Sequence, residues 1–200
     1  MSDLSLLGAM ALFAFVTSVT PGPNNMMLLA SGVNFGFKRT MPHILGITFG
    51  HFILLITTGA GLEKLLEIYP DAFVVMKALG MAYLVYLAWK IVRSGAPSRG
   101  GKQSSKPLGF VGAAAFQWVN PKAVMMAVGY FSNYMPSDAS TTYVVLTCLM
   151  FCVVNVPSTS IWVILGTQLE RWLQTPSSRR LFNWTMAILL VVSMLPVLLA

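Results

Sequence analysis

The sequence predicts an all-α integral membrane protein with six transmembrane helices. Hydrophobic residues make up 56% of the 200-residue chain and charged residues only 10%, whereas ordinary soluble domains carry about 25% charged residues. The mean hydropathy is +0.72. Several apolar segments are long enough to cross a bilayer, and the connections between them alternate in charge. We therefore expect one polytopic membrane domain over residues 1–200.

A helix needs about 20 apolar residues to cross a hydrocarbon core about 30 Å thick. Turn and loop residues separate six segments that meet this requirement. In chain order the predicted spans are residues 4–29, 41–62, 72–92, 110–135, 142–165 and 181–199. We expect the first to be a retained helix and not a secretory signal, because Asp3 is acidic and Lys38 is the first basic residue.

The charges of the connecting segments predict the orientation of the chain. Basic side chains concentrate in the first, third and fifth connections, of which the long third one, 93–109, is predicted to be a basic cytoplasmic loop. The second and fourth connections carry acidic residues, including Glu63, Asp71 and Asp138. Because Lys and Arg are retained on the cytoplasmic side of a membrane, the odd connections are predicted to be cytoplasmic and both termini periplasmic.

The net charge of +7 does not indicate a nucleic-acid-binding protein. The basic residues are dispersed among the loops instead of forming one patch, and part of the 94–107 stretch is expected to contact anionic membrane lipid.

Cys148 and Cys152 lie one turn apart on one helix face and are expected to be packing residues. With no C-x-x-C motif and no His/Cys cluster at metal-ligand spacing, we expect no metal and no other cofactor.

Polar, proline-containing stretches interrupt the first and fourth spans. The first consists of Pro21, Gly22, Pro23, Asn24 and Asn25, and the second of Asn120, Pro121 and Lys122. Proline removes a helical hydrogen bond, and backbone groups freed inside a membrane need protein or water as partners. A lysine near mid-bilayer costs about 2.5–3.5 kcal/mol on insertion scales. Lys122 is therefore predicted to have a specific role, with snorkelling or a structural bond to a carbonyl as the alternative.

The two interruptions predict a binding site. Pro21 and Pro121 lie 100 residues apart, each in the first span of a three-span half, so a 3+3 repeat would be inverted across the membrane. Paired proline-interrupted segments at matching places in two halves indicate the binding site of a transporter. Asn155, near Pro157 in the fifth span, is a further candidate, with satisfaction of backbone freed by that proline as the alternative.

Four stretches of the sequence resemble the LysE/RhtB family of amino-acid exporters. They are residues 20–25, Gly46 and Gly50 of the second span, residues 77–84, and residues 120–122. The resemblance extends over essentially the whole chain, and residues 20–25 and 82–91 are most similar to the cysteine/O-acetylserine exporter branch. It implies a multi-pass protein of the bacterial inner (plasma) membrane. The resemblance also implies that the protein moves a small zwitterionic amino acid or a close derivative outward and moves protons in exchange.

The sequence departs from this family at His51. Many members carry an acidic residue there, and no Asp or Glu lies well inside a predicted span. His51, with an unperturbed pKa of about 6.5, is the candidate for proton coupling; the alternative is a hydrogen-bonded packing residue. His43 is expected near the cytoplasmic end of the same span. Lys77 either faces the cavity or snorkels outward.

A polytopic membrane protein can also be an enzyme or an accessory protein. An intramembrane metalloprotease needs H-E-x-x-H and an aspartyl protease needs two intramembrane Asp, and neither pattern occurs, so we expect no enzyme. An accessory or structural membrane protein without transport activity remains the alternative.

The pairs Gly32/Gly36 and Gly46/Gly50 permit close helix packing, and packing inside the bundle is favoured over a homo-oligomer. The first break, about seventeen residues into its segment, is predicted nearer the cytoplasmic side, as a gate or hinge, or else as part of the binding site.

Overall fold

The computed structural model describes residues 3–62, 70–94, 106–136 and 138–193. Within these ranges the regular elements are all helical, which confirms the predicted all-α class. The helices are α1 (Asp3–Val19), α2 (Pro23–Thr57), α3 (Pro70–Ser94), α4 (Phe110–Val119), α5 (Pro121–Tyr134), α6 (Thr141–Glu170) and α7 (Pro176–Val192), with a π-helical turn over Thr58–Leu62.

The first predicted span consists of two helical pieces. α1 ends at Val19, and α2 begins at Pro23, a position where proline's missing N–H removes no helical hydrogen bond. Between them Gly22 is fully extended, with φ −179° and ψ 179°. The helix then continues past residue 29, where the predicted span ended. Gly36 interrupts it with φ 75° and ψ 173°, a left-handed conformation that glycine adopts without strain.

Gly36 folds α2 back on itself, so that its two parts, the first arm (23–35) and the second arm (37–57), are neighbours. The hydroxyl oxygens of Ser31 and Thr40 lie 2.9 Å apart. Leu28 of the first arm packs with Ile44 and Ile47 of the second in one buried cluster. One residue thus makes the reversal for which the sequence predicted a longer connection.

The fourth predicted span is interrupted as expected. α4 ends at Val119, Asn120 is extended with φ −91° and ψ 105°, and Pro121 occupies the first turn of α5. The same device therefore occurs at both breaks: an extended residue followed by a proline that begins the next helix.

Glycines allow the helices around α2 to approach closely. A Cβ at Gly32 would clash with the carbonyl oxygen of Val163 in α6, and one at Gly46 with the carbonyl oxygen of Phe110 in α4. A Cβ at Gly50 would lie 2.6 Å from Cα of Ala114. These three glycines pack inside the chain, whereas Gly36 makes the reversal, and a Cβ added there would meet no atom within 4 Å in the described structure.

Among the described residues, two helical stretches, Pro23–Gly61 and Thr141–Glu170, are long and apolar enough to cross a membrane by length and composition, and the first of them includes the reversal at Gly36. Leu4–Val19 and Phe110–Val119 are shorter apolar helices. Large apolar side chains also lie on the outer surface: Val111 is 77% exposed and Val153 is 72% exposed, as lipid-facing residues would be. The count of six crossings and the inverted repeat remain predictions.

Candidate functional site

The two helix breaks meet through Lys122. Its Nζ donates hydrogen bonds to the carbonyl oxygen of Thr20 at 2.6 Å and to Thr20 Oγ1 at 3.0 Å, and lies 3.4 Å from the carbonyl oxygen of Pro21. The last carbonyls of a helix have no partners within it, and a cation there also interacts favourably with the helix dipole. Lys122 at the start of α5 therefore caps the C-terminal end of α1.

Gly22 allows this approach. A Cβ at this position would lie 2.7 Å from Cδ and 3.1 Å from Nζ of Lys122. Any residue can adopt the extended backbone conformation of Gly22. Glycine is needed here because a side chain would occupy the space of Lys122. The two breaks thus lie next to each other in the bundle. That the first break is nearer the cytoplasmic side stays a prediction.

Two further side chains bind the exposed end of α1. Asn25 Nδ2 donates to the carbonyl oxygens of Ser18 at 2.8 Å and Thr20 at 2.7 Å. Trp162 Nε1, from α6, donates to the carbonyl oxygen of Val19 at 3.1 Å. The interrupted helix is therefore stabilised by side-chain donors from α2, α5 and α6, and Asn25 has a structural role in addition to facing the cavity described below.

Asn24 forms a reciprocal amide pair with Gln117 of α4. Asn24 Nδ2 donates to Gln117 Oε1 at 2.8 Å, and Gln117 Nε2 donates to Asn24 Oδ1 at 3.2 Å. Gln117 is fully buried and its Nε2 also donates to the carbonyl oxygen of Ala113. Gln117 was not predicted as a site residue from the sequence, although an amide side chain one turn before the helix break could have indicated one.

Asn155 joins three helices at the middle of α6. Its Nδ2 donates to Ser18 Oγ of α1 at 3.0 Å, and Thr48 Oγ1 of α2 donates to Asn155 Oδ1 at 3.1 Å. Ser18 and Thr48 were also not selected from the sequence. The predicted alternative, that polar groups here satisfy backbone freed by Pro157, does not describe these side-chain contacts of Asn155.

Two buried polar atoms near these contacts have no hydrogen-bond partner among the described residues, namely His51 Nε2 and Asn120 Oδ1. His51 is 2% exposed and Asn120 is 1% exposed. The His51 ring packs against Phe151, with 4.8 Å between centroids. A buried polar atom left unsatisfied costs about 1–3 kcal/mol, so these two atoms indicate a place where water or a solute binds.

These polar residues line one cavity with an empty volume of about 350 Å³. The predicted residues on its wall are Gly22, Asn24, Asn25, His51, Asn120, Lys122 and Asn155. The space has room for about one water molecule, so an amino acid requires the helices to separate.

The cavity lies far from both ends of α6. Asn155 is near the centre of this 30-residue helix, and at a rise of about 1.5 Å per residue each end is about 22 Å away. If α6 spans the membrane, the cavity is close to mid-bilayer.

The remaining predicted residues have other positions. Pro21 precedes the extended Gly22, while Pro23 and Pro121 begin helices. Lys77 belongs to α3, and its side chain lies outside the described part of the structure. His43 lines a second cavity, separate from the first.

Comparison with known proteins places this site in context. A family model described as LysE type translocator matches residues 15–199. The chain is 29% identical over 188 residues to the cysteine/O-acetylserine efflux protein of Escherichia coli (strain K12), covering 94% of this chain and 94% of the relative. The protein of the same name from Shigella sonnei (strain Ss046) has the same identity and coverage. No solved structure matches the chain.

Proposed function

The chain belongs to the LysE type translocator family, and on this premise we propose that it exports a small zwitterionic amino acid or a close derivative from the cytoplasm. Family membership makes it a membrane transporter and not an enzyme, and amino-acid efflux is the activity in the name of its relatives. Cysteine and O-acetylserine are the first candidate substrates, because the relatives are named for them. The proposed location is the bacterial inner membrane.

The meeting of the two helix breaks at Lys122 is the observation that supports this proposal. Lys122 is the one lysine or arginine among the described residues that line the cavity. Its ammonium group now contacts backbone carbonyls of Thr20 and Pro21. A substrate carboxylate would bind it more strongly, because both partners of the hydrogen bond would then be charged, whereas the carbonyls are neutral. Binding of the carboxylate would therefore compete with the contact that holds α5 to the end of α1.

The same cavity also contains hydrogen-bond acceptors for the positively charged ammonium group of a zwitterion. Asn120 Oδ1 and, in neutral imidazole, an unprotonated His51 nitrogen can accept hydrogen bonds from an α-ammonium group. His51 Nε2 and Asn120 Oδ1 are both buried and have no partner among the described residues. A zwitterion would thus satisfy these atoms while its carboxylate binds Lys122. This arrangement favours an amino acid over a simple cation or anion.

Competition for Lys122 also suggests how binding is coupled to movement. While the ammonium group caps α1, the α1–α2 break and the α4–α5 break are held together. Once a carboxylate replaces the carbonyls, α1 is free to move relative to α5. Rocking of the two interrupted spans against the other helices would then open the cavity alternately to each side, as in transporters with broken helices.

The test is transport in inside-out membrane vesicles, with labelled cysteine, O-acetylserine and a panel of other amino acids. Uptake of at least one amino acid above vesicles without the protein is expected. Lys122→Met should lower this uptake at least about tenfold, because a charge-assisted hydrogen bond contributes about 1.5–3 kcal/mol. Lys38→Met, at an exposed lysine outside the cavity, is the matched control and should transport normally.

Two outcomes would contradict the proposal. One is that no amino acid accumulates although the protein is inserted in the membrane. The other is that the Lys122→Met variant transports as the unaltered protein does. The first result would favour an accessory or structural membrane protein, and the second would remove Lys122 from the binding site.

We further propose that export is driven by exchange with protons and that His51 carries them. His51 lines the cavity, and no Asp or Glu is among its described lining residues. In inside-out vesicles an acidic lumen should therefore drive amino-acid uptake. His51→Gln should abolish this dependence on the pH gradient while leaving exchange of labelled for unlabelled substrate measurable. Unchanged dependence in the variant would remove His51 from the mechanism without affecting the assignment of the binding site.

A further inference from the structure

A second cavity, with an empty volume of about 400 Å³, lies among α2, α3 and the residues before α4. Both arms of α2 contribute to it, through Ser31 and His43. Lys90 of α3 and the stretch 106–108 complete the wall. It shares no lining residue with the central cavity. Because 93–109 is the predicted basic cytoplasmic connection, this cavity belongs to the predicted cytoplasmic side of the protein.

His43 is the buried titratable side chain among the described residues that line this cavity. The residue is only 1% exposed, and neither Nδ1 nor Nε2 has a hydrogen-bond partner in the part of the chain that the structure describes. An imidazole always has at least one N–H to donate. Leaving it unsatisfied in a buried position costs about 1–3 kcal/mol. The structure therefore presents a buried donor to the cavity without a protein acceptor for it.

The charges around His43 are of one sign. Lys90 and Lys106 both line the cavity, and none of its described lining residues is acidic. Lys90 Nζ lies 5.8 Å from the centroid of the Tyr86 ring, a weak cation–π contact. Apolar residues such as Met27 and Leu108 form the rest of the wall. Two cations and an imidazole donor next to apolar groups favour a ligand that carries negative charge and several acceptor oxygens.

We propose that this cavity is a second binding site, for an oxyanion such as a phosphate or carboxylate group. Lys90 and Lys106 would supply the charge, and an N–H of His43 would donate a hydrogen bond to one oxygen. The oxyanion belongs either to a small soluble anion or to the headgroup of an anionic lipid, both of which reach the cytoplasmic face. Occupation of the site would link the two arms of α2 to the end of α3. The site is independent of the proposed transport substrate.

The first arm of the test uses inorganic phosphate and the purified protein in a neutral detergent at constant ionic strength. Thermal unfolding should shift to higher temperature with a saturable dependence on phosphate. The second arm uses nanodiscs of phosphatidylglycerol or of phosphatidylcholine, with native mass spectrometry to count retained lipids. If phosphatidylglycerol is retained in preference to phosphatidylcholine, the ligand is a lipid headgroup. If phosphate stabilises the protein but phosphatidylglycerol is not retained preferentially, the ligand is a soluble anion.

Variants decide whether the response comes from this cavity. Lys90→Gln and Lys106→Gln should each weaken the response about tenfold, as expected for loss of a charged hydrogen-bond donor. His43→Phe should weaken it as well while preserving a ring in the buried position. Lys38→Gln removes an exposed lysine that does not line the cavity and should leave the response intact. If His43→Phe fails to fold, the lysine variants still decide.

The proposal is overturned if neither phosphate nor phosphatidylglycerol gives a saturable response. It is also overturned if Lys38→Gln weakens the response as much as Lys90→Gln and Lys106→Gln do, because the effect would then be general surface electrostatics. Amino-acid transport is not part of this readout. Failure here would leave the proposed function standing, and failure of transport would leave this site standing.

Discussion

At the scale of single residues, Lys122 combines a structural contact with the chemistry that the proposed function needs. The cost of placing an ammonium group in a membrane predicted a specific role for it. The alternative considered from the sequence, a structural bond to a carbonyl, matches the contact with Thr20. The structural role and the binding role are compatible, because a substrate carboxylate that displaces the carbonyl contact would free α1 to move when the substrate binds.

Gly22→Ala tests this contact without removing the lysine. The added Cβ would lie 2.7 Å from Lys122 Cδ, so the side chain must move away from the end of α1. We expect transport to fall about tenfold, because about 1.4 kcal/mol corresponds to a factor of ten in rate and the displaced bond contributes about 1.5–3 kcal/mol. Vesicle uptake of the labelled substrate measures the effect.

Gly8→Ala is the matched control for this prediction. It makes the same change in the preceding helix α1, where an added Cβ meets no atom within 4 Å in the described structure, and it should transport normally. Equal activity of the Gly22→Ala and Gly8→Ala variants would contradict the role given to the contact between the two breaks.

The polar residues of the site were predicted unevenly from the sequence. Lys122 and Asn120 were selected because charge and a helix break are rare inside apolar segments. Gln117 and Ser18 were not, since one amide or hydroxyl in a helix is usually satisfied by its own backbone. Their partners, Asn24 and Asn155, are distant in sequence. Only the packing of α2 against α4 and of α1 against α6 brings them together.

At the scale of helices, the positions of the breaks and a turn near Gly36 were predicted, whereas the continuation of the helix from residue 29 up to Gly36 was not. Proline identifies a helix start from sequence alone because its ring fixes φ and removes a donor. A glycine in G-x-x-x-G can either allow a close helix contact or adopt a positive φ, and the sequence does not distinguish these uses. Gly36 was a candidate both for a turn and for close packing with Gly32, and in the structure it turns the chain.

The helix ends differ from the predicted spans for a related reason. α6 continues to Glu170, beyond the predicted end at residue 165. Hydropathy detects the apolar part of a helix, whereas backbone hydrogen bonds continue into polar residues that lie outside the hydrocarbon core. Differences of this kind leave the position of Asn155 within α6 unaffected.

Gly50→Ala tests the close approach of α2 and α4. The new Cβ would lie 2.6 Å from Cα of Ala114 and closer still to its carbonyl oxygen, and backbone atoms cannot move aside as a side-chain end can. Overpacking of this kind destabilises a fold by about 1–3 kcal/mol. Thermal unfolding of the purified protein in detergent should therefore occur at lower temperature.

Gly129→Ala provides the comparison, because the nearest atom to its added Cβ is Phe13 Cζ at 3.5 Å, an ordinary van der Waals contact. It should unfold at nearly the temperature of the unaltered protein. If both alanine variants unfolded at the same temperature, close packing at Gly50 would not contribute to stability as proposed.

At the scale of the whole molecule, the two halves use the same local device. Gly22 and Asn120 are both extended, and each is followed by a proline that begins a helix. Lys122 then joins one break to the other. These features favour the hypothesis of an inverted repeat, in which the two interrupted spans would cross the membrane in opposite directions. The orientation of the connections is the property that tests this arrangement directly.

Single-cysteine labelling measures that orientation. The positive-inside rule predicts that Asp138, in the fourth connection, is periplasmic and that Ser177, at the start of α7, is cytoplasmic. Both are exposed in the structure. In a chain with Cys148→Ala and Cys152→Ala, a membrane-impermeant maleimide added to spheroplasts should label the Asp138→Cys variant and not the Ser177→Cys variant.

Permeabilised cells supply the internal control, since both variants should then be labelled. The physical reason is the number of crossings between the two positions. α6 lies between Asp138 and Ser177, so one crossing by this 30-residue helix places them on opposite sides. Labelling of both variants in spheroplasts would contradict the crossing by α6. Labelling of the Ser177→Cys variant alone would invert the predicted orientation and place the His43 cavity on the periplasmic side.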